Sequence, residues 1–481
     1  MLLSGGMQMT DRTIRPTVEG PITGGDHGWP FGRPLFDLAD RGYVEEEYFV
    51  SGDARTYGQV AGSEWGRDGV WHAEPRGSVP FTTRILVYRP ADPESFNGTV
   101  VVLWNNVTAG YELFGGESPE FLDEGYAVVA ATVQRAAITG FPNNSQGLAA
   151  WDPQRYGSLS IPTDDASYDI FTRVGIAVGA ARDRSGRDPL DGLDVRRVIA
   201  LGASQSAARL ATYVNAIHPL EPVYDGFLLQ IYFGAGTALE VGDAIVNISE
   251  PAAAGTGSRV GLRGTNLIRN DLDVPVMVVN SELEAIACYD VRQPDTERFR
   301  YWEAAGTSHG SIQAMNVRAP KYEREFGTPS PVPQRILEQM NRIDKGPLYD
   351  AALHHLNRWI DGGEPPPHQP LIEFTGEPPE IVRDEFGIAV GGVRLPQADV
   401  PVAHNSAIPL GEDVYSLLRG SSRPFDAARL DALYGDEETY IAEFTQATMS
   451  AVDAGVLLPR DITPMIEEAR REYRRAHDGA V

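Results

Sequence analysis

Val198-Ile-Ala-Leu-Gly202-Ala-Ser204-Gln-Ser206-Ala-Ala-Arg-Leu-Ala-Thr-Tyr-Val214 decides the fold. An uninterrupted apolar run, as a strand shows when both its faces are covered, passes directly into a segment whose apolar residues Ala207, Leu210, Ala211 and Val214 recur at helical spacing. The turn between them must be very tight. A serine there stands on a strained strand-to-helix elbow, its hydroxyl at the C-terminal edge of a sheet and the positive end of a helix behind it. Small residues are needed two positions before and after it, and Gly202 and Ser206 supply them. Because the second is serine rather than glycine, Gly-x-Ser-x-Ser also reads as an ordinary helix N-cap, and the strand-turn-helix context has to choose.

That context extends in both directions. Strands are expected over 43–51 and 81–89, with a long glycine-containing connection between them. Continuously apolar strands are expected over 99–104 and 126–132, then a helix over 168–182, a strand over 195–201, a helix over 205–217, and strands over 226–233, 274–279 and 298–304. A helix over 348–360 follows. This alternation predicts an α/β domain with a mostly parallel central sheet flanked by helices, extending over 40–362. Residues 1–40, rich in glycine and proline, read as an extension over the surface that precedes regular structure. Gly363-Glu-Pro-Pro-Pro367 marks a boundary, and 363–481 reads as a turn-rich, helical appendage that packs on the main domain. In it Tyr440, Phe444, Ala447 and Ala451 share one helix face, and Thr463-Pro464 starts a last helix.

Composition narrows the partners. Of the 481 residues, 67 are acidic and 41 basic, for a net charge of −26 that repels phosphate backbones and anionic lipid, so neither nucleic acid nor a membrane is expected as a partner. A homo-oligomer is allowed for. The single cysteine, Cys288, cannot form an internal disulfide, and the N-terminus lacks the pattern of a secretory signal, so a cytoplasmic location is expected. No metal-ligand spacing or phosphate-binding loop is present, and no cofactor is expected.

A nucleophilic serine needs a base and an acid. The literal Gly-x-Ser-x-Gly match, Gly306-Thr-Ser308-His-Gly310, is rejected as nucleophile because adjacent side chains on an extended chain diverge, so His309 could hardly serve Ser308. His309 fits better as the base for Ser204, on a loop after the last strand from which an imidazole can be aimed back over the sheet edge. The acid is expected after the strand 274–279, where Asn280-Ser-Glu282-Leu-Glu284 offers two carboxylates. Glu284 is preferred over Glu282.

With these residues in view, the chain resembles the α/β-hydrolase superfamily, whose chain order is serine, acid, histidine. More narrowly it resembles the bacterial "alpha/beta hydrolase domain" proteins. These carry Trp-x-Asn-Val after the third strand, Ser-Glu-Thr-Asp after the acid strand, and Arg-Gln-Pro-Asp-Thr before Ala-Gly-Thr-x-His. Here the same places read Trp104-Asn-Asn106-Val107, Ser281-Glu-Leu-Glu284, Arg292-Gln-Pro-Asp-Thr296 and Ala305-Gly-Thr-Ser-His309, and the likeness continues through Gly391-Gly-Val-Arg394 and Asp399-Val-Pro401. The departure is at the acid, where glutamate replaces aspartate.

The resemblance implies an α/β-hydrolase fold with lid insertions and a catalytic triad of Ser204, Glu284 and His309. It also implies an oxyanion hole made by the backbone N–H of Gln205 with a second donor around Asn106 and Val107. Asn106 reads equally well as a brace for its own turn. Insertions at 136–165 and 237–271 are the expected walls of the substrate site, with Trp104, Phe141, Trp151 and Tyr156 as substrate contacts. Loop aromatics also serve as staples, and that reading stays open. The expected function is hydrolysis of a small-molecule carboxylic ester or lactone through an acyl-enzyme. The alternatives are an acyltransferase, amidase or peptidase with the same triad, or a non-catalytic binder on the same fold.

Overall fold

The computed structural model describes residues 15–113, 115–142, 145–245, 262–408 and 414–479. Part of the expected 237–271 insertion therefore lies outside the described residues. Nine strands form one sheet: β1 Thr17–Glu19, β2 Tyr43–Gln59, β3 Ala73–Pro90, β4 Thr99–Trp104, β5 Ala127–Ala131, β6 Arg197–Ala203, β7 Gly226–Gln230, β8 Val276–Ser281 and β9 Phe299–Ala304, in the order β1-β2-β3-β5-β4-β6-β7-β8-β9. The first three are antiparallel, β3 pairs antiparallel with β5, and β5 through β9 are parallel. Parallel strands send all their outgoing loops to one edge, where ligands of open α/β sheets bind.

The continuously apolar strands are explained by burial on both faces. In β4, Val100, Val102 and Trp104 face one core with Phe171, Leu210 and Phe227. Val101 and Leu103 face the other, with Trp302, Leu353 and Leu356. Leu395, Phe444 and Tyr473 belong to this second core, so 363–481 shares the interior of the domain.

Three expectations need correction. Regular structure begins at β1, inside the segment read as a surface extension, because Thr17–Glu19 finds a free edge on β2. The long connection between β2 and β3 is mostly strand: the two form a ladder from Tyr43↔Pro90 to Gln59↔Ala73 with a bulge at Thr56/Tyr57. Its glycines and prolines hide the alternation. The segment after His309, for which no element was expected, forms the helix Ile312–Phe326 with Pro320 inside it.

The elbow shows why glycine precedes the serine. A Cβ on Gly202 would lie 2.8 Å from the Ser206 carbonyl oxygen and 2.9 Å from its carbon, both fixed backbone atoms. Gly202→Ala is expected to cost about 1–3 kcal/mol in urea unfolding, as overpacking does elsewhere, and Gly202→Val more. Wild-type stability in both variants would contradict this packing.

Candidate active site

Ser204 follows directly on β6 and has φ 60° and ψ −117°, a conformation that costs a non-glycine residue of order 1–3 kcal/mol and is tolerated where the surroundings enforce it. The constraint comes from both sides: its N–H donates to the Gln230 carbonyl at the end of β7, and its carbonyl accepts from Ala208. The hydroxyl does not cap the helix Gln205–Thr212. The N-cap reading is thereby corrected, because an elbow serine is turned outward rather than over the helix end. Ile231, next to Gln230, also has positive φ, 45°. A β-branched residue in that conformation is a marked outlier that no sequence signal announces.

The Gln205 amide is the first of its helix and has no intrahelical acceptor. Its buried side chain donates to Gln134 Oε1 at 2.8 Å, and the same oxygen accepts the indole N–H of Trp104 at 3.0 Å. Trp104 is 2% exposed and packs on Tyr168 and Phe171. Its expected substrate contact is replaced by a bracing one, since a side chain pointing into the sheet face cannot also line the edge. The Asn106 side chain braces its own turn, and its backbone N–H is not part of that brace. Its Nδ2 donates to the Ala203 carbonyl at 3.0 Å and its Oδ1 accepts from Thr108 N–H at 2.9 Å, tying the loop after β4 to the residue before Ser204. Glu112, further along that loop, accepts from buried Arg84 at 2.7 Å and from the Thr132 hydroxyl, which anchors the loop to β3 and to the end of β5. Val107 is buried against Ala136, Ala137 and Phe141.

Trp151 and Tyr156 are also corrected. Trp151 stacks on His27 at 3.8 Å and donates to the Glu325 carbonyl at 2.8 Å. Tyr156 is fully buried, donates to Glu47 at 2.9 Å and accepts from Phe31 N–H at 3.0 Å. Both staple the N-terminal segment down.

Glu284 and His309 meet: His309 Nδ1 lies 2.6 Å from Glu284 Oε1. A carboxylate only accepts, so Nδ1 carries the proton and Nε2 is left basic. The second Glu284 oxygen takes the Ser281 hydroxyl and, at 3.3 Å, its N–H, completing a capping box on the helix Glu282–Ala287. Glu284 is 3% exposed. Burial pushes its carboxyl up, but the charge that His309 carries once protonated and its hydrogen bond, with Ser281 and Lys345, outweigh this and hold it below the ordinary carboxylate range.

Glu282, the rival acid, has another task. It is fully buried, accepts Gly306 N–H at 2.6 Å and Arg383 Nη1 at 2.8 Å, and so pins the start of the His309 loop to the C-terminal region. That region holds the loop elsewhere too. Gly310 N–H donates to Leu418, the Ser308 hydroxyl to Gly310 and Arg419, and Asn341 Nδ2 to Gly306. Ser308 is buried and committed to backbone carbonyls. None of the anchors from outside the loop was anticipated, because the residues they join lie 24 to 111 positions apart in the chain.

The sequence matches the family model described as "Alpha/beta hydrolase domain" over residues 18–467. No curated protein matches. Among solved structures, the esterase Est22 is 13% identical with TM-score 0.28, over 60% of this chain and 80% of its own. XC6422 from Xanthomonas campestris, described as an a/b serine hydrolase without lid, is 13% identical with TM-score 0.27, over 57% and 92%. A prolyl endopeptidase is 10% identical with TM-score 0.29, over 55% of this chain and 35% of its own. The chain thus spans about a third of that enzyme.

The two glutamates are separable by experiment. Glu282→Ala is expected to lose about 2–3 kcal/mol in chemical unfolding, because a buried N–H and a partly buried guanidinium lose their acceptor. Glu284→Gln is expected to stay folded at pH 7. Since the folded-state pKa of Glu284 is depressed, its stabilising contribution is in place above the ordinary carboxylate pKa of about 4.3 and is lost as pH falls through the lower folded-state value. Glu284→Gln should accordingly flatten the acid side of the stability curve. A curve as steep as wild type would show that the carboxylate is not charged against His309.

Proposed function

The chain belongs to the alpha/beta hydrolase domain family and has its fold, and on that premise we propose that it is a serine hydrolase cleaving a small-molecule carboxylic ester or lactone. The observation that carries this reading is the partly buried Glu284–His309 hydrogen bond at the sheet edge from which the Ser204 elbow also projects.

In the proposed cycle His309 Nε2 takes the Ser204 proton as Oγ attacks the acyl carbon. Glu284 keeps the proton on Nδ1 and offsets the charge that the imidazolium acquires. The Gln205 N–H, at the positive end of its helix, stabilises the oxyanion, with the second donor from the backbone around Val107. His309 then returns the proton to the departing alkoxide, and water repeats the sequence to release the acid. No step calls for a cofactor. An ester or lactone asks least of this machinery, because an alkoxide leaves more readily than an amine. An amidase, peptidase or acyltransferase would use the same groups with different neighbours around the leaving group.

A panel of p-nitrophenyl esters, lactones and anilides tests the proposal. Turnover is expected on esters or lactones, to fall at least about 10³-fold in Ser204→Ala and about 10²–10⁴-fold in Glu284→Gln, and to persist in folded Ser308→Ala. Retained turnover in Ser204→Ala, or anilides preferred over esters, would overturn the proposal.

A further inference from the structure

The chain uses arginine almost to the exclusion of lysine: of 41 basic residues, two are lysines, Lys321 and Lys345. Both are buried. Lys321 is accounted for by its ion pair with Glu117. Lys345 is not accounted for in that way, since among the described residues no carboxylate lies within ion-pair distance of it. It also stands at the N-cap of the helix Gly346–Ile360, the end of a helix that disfavours a cation. A buried amine in such a place costs stability that the fold does not explain.

Its surroundings point to the active site. Lys345 Nζ donates to the carbonyl of Ser308, the residue before His309. The charges that act on it are the Glu284 carboxylate, from the helix after β8, and Asp344, beside it in the chain. The Tyr349 phenol, one turn on, lies in the field of the same two carboxylates and of Arg318. The imidazole of His309 completes the set through its bond to Glu284.

We propose that Lys345 is a positioning residue for the proposed triad: it fixes the backbone of His309 through the Ser308 carbonyl, and its charge favours ionised Glu284 beside a neutral imidazole. A cation near the pair raises the cost of protonating His309 at rest, which keeps the base available at lower pH. Burial is the main reason the Lys345 amine itself is pulled down, to about 8, against the opposing pull of Glu284 and Asp344.

The inference rests on the serine-hydrolase reading, so its test begins from Ser204-dependent turnover. The pH dependence of kcat/KM is measured for wild type, Lys345→Met, Lys345→Gln and Lys345→Arg. Glutamine retains a donor for Ser308 while removing the charge, and it carries the test should the methionine variant not fold. Both neutral variants are expected to lose about tenfold in kcat/KM or more. Their acid limb should move to higher pH by about half to one unit, the effect of removing one nearby charge screened as in a protein interior. Lys345→Arg should keep the wild-type midpoint. An active neutral variant with an unmoved midpoint, whatever its rate, would overturn the role of Lys345 and leave the triad standing. Absence of Ser204-dependent turnover in the wild type would instead overturn the reading beneath it.

Discussion

A carboxylate with almost no exposure must have its oxygens satisfied, and Glu284 meets that constraint with one oxygen on Ser281 and the other on His309. The first bond is local and comes with the capping box at the end of β8. The second is not. It requires a loop from β9 to be brought back over the sheet edge and held there, and much of the surrounding architecture is accounted for by that requirement. Glu282 and Asn341 hold Gly306, Lys345 holds Ser308, and the backbone at Leu418 and Arg419 holds Ser308 and Gly310. The C-terminal region is thus built into the site that the parallel sheet presents.

On the other side of the sheet edge the same logic governs the elbow. Ser204 is held in a conformation it would not choose by hydrogen bonds to Gln230 and Ala208, with the missing side chain of Gly202 leaving room for the helix. Behind it, Trp104, Gln134 and Gln205 form a buried relay that fixes the first residue of the helix. Asn106 ties the neighbouring loop to Ala203. Strain at Ser204 and rigidity at its supports are two sides of one arrangement: a bent backbone persists only where its surroundings over-determine it.

What could be read from the sequence was what is encoded locally. The apolar run at Thr99–Trp104 coincides with β4 because both its faces are buried. The elbow was legible because a strand, a small residue and a helix face follow one another without a gap. Glu284 was preferred for its place three residues beyond Ser281, a spacing that in the structure forms a capping box at the end of β8. What escaped was non-local. The ladder of β2 with β3 runs through glycines and prolines that a local reading takes for loop. The helix Ile312–Phe326 forms despite Pro320, with Tyr322 and Phe326 packed against Tyr111. Trp151 and Tyr156 look like pocket aromatics until the N-terminal segment is seen lying over them.

The central claim, that Ser204, His309 and the Gln205 amide converge on one reacting carbon, is tested most directly by a crystal structure of the protein treated with an alkyl fluorophosphonate. The account predicts phosphorus bonded to Ser204 Oγ, a phosphoryl oxygen within hydrogen-bond distance of the Gln205 N–H, and His309 Nε2 facing Ser204 Oγ while Nδ1 stays on Glu284. A phosphonate on another residue, or an adduct on Ser204 with the imidazole turned away from it, would contradict the account.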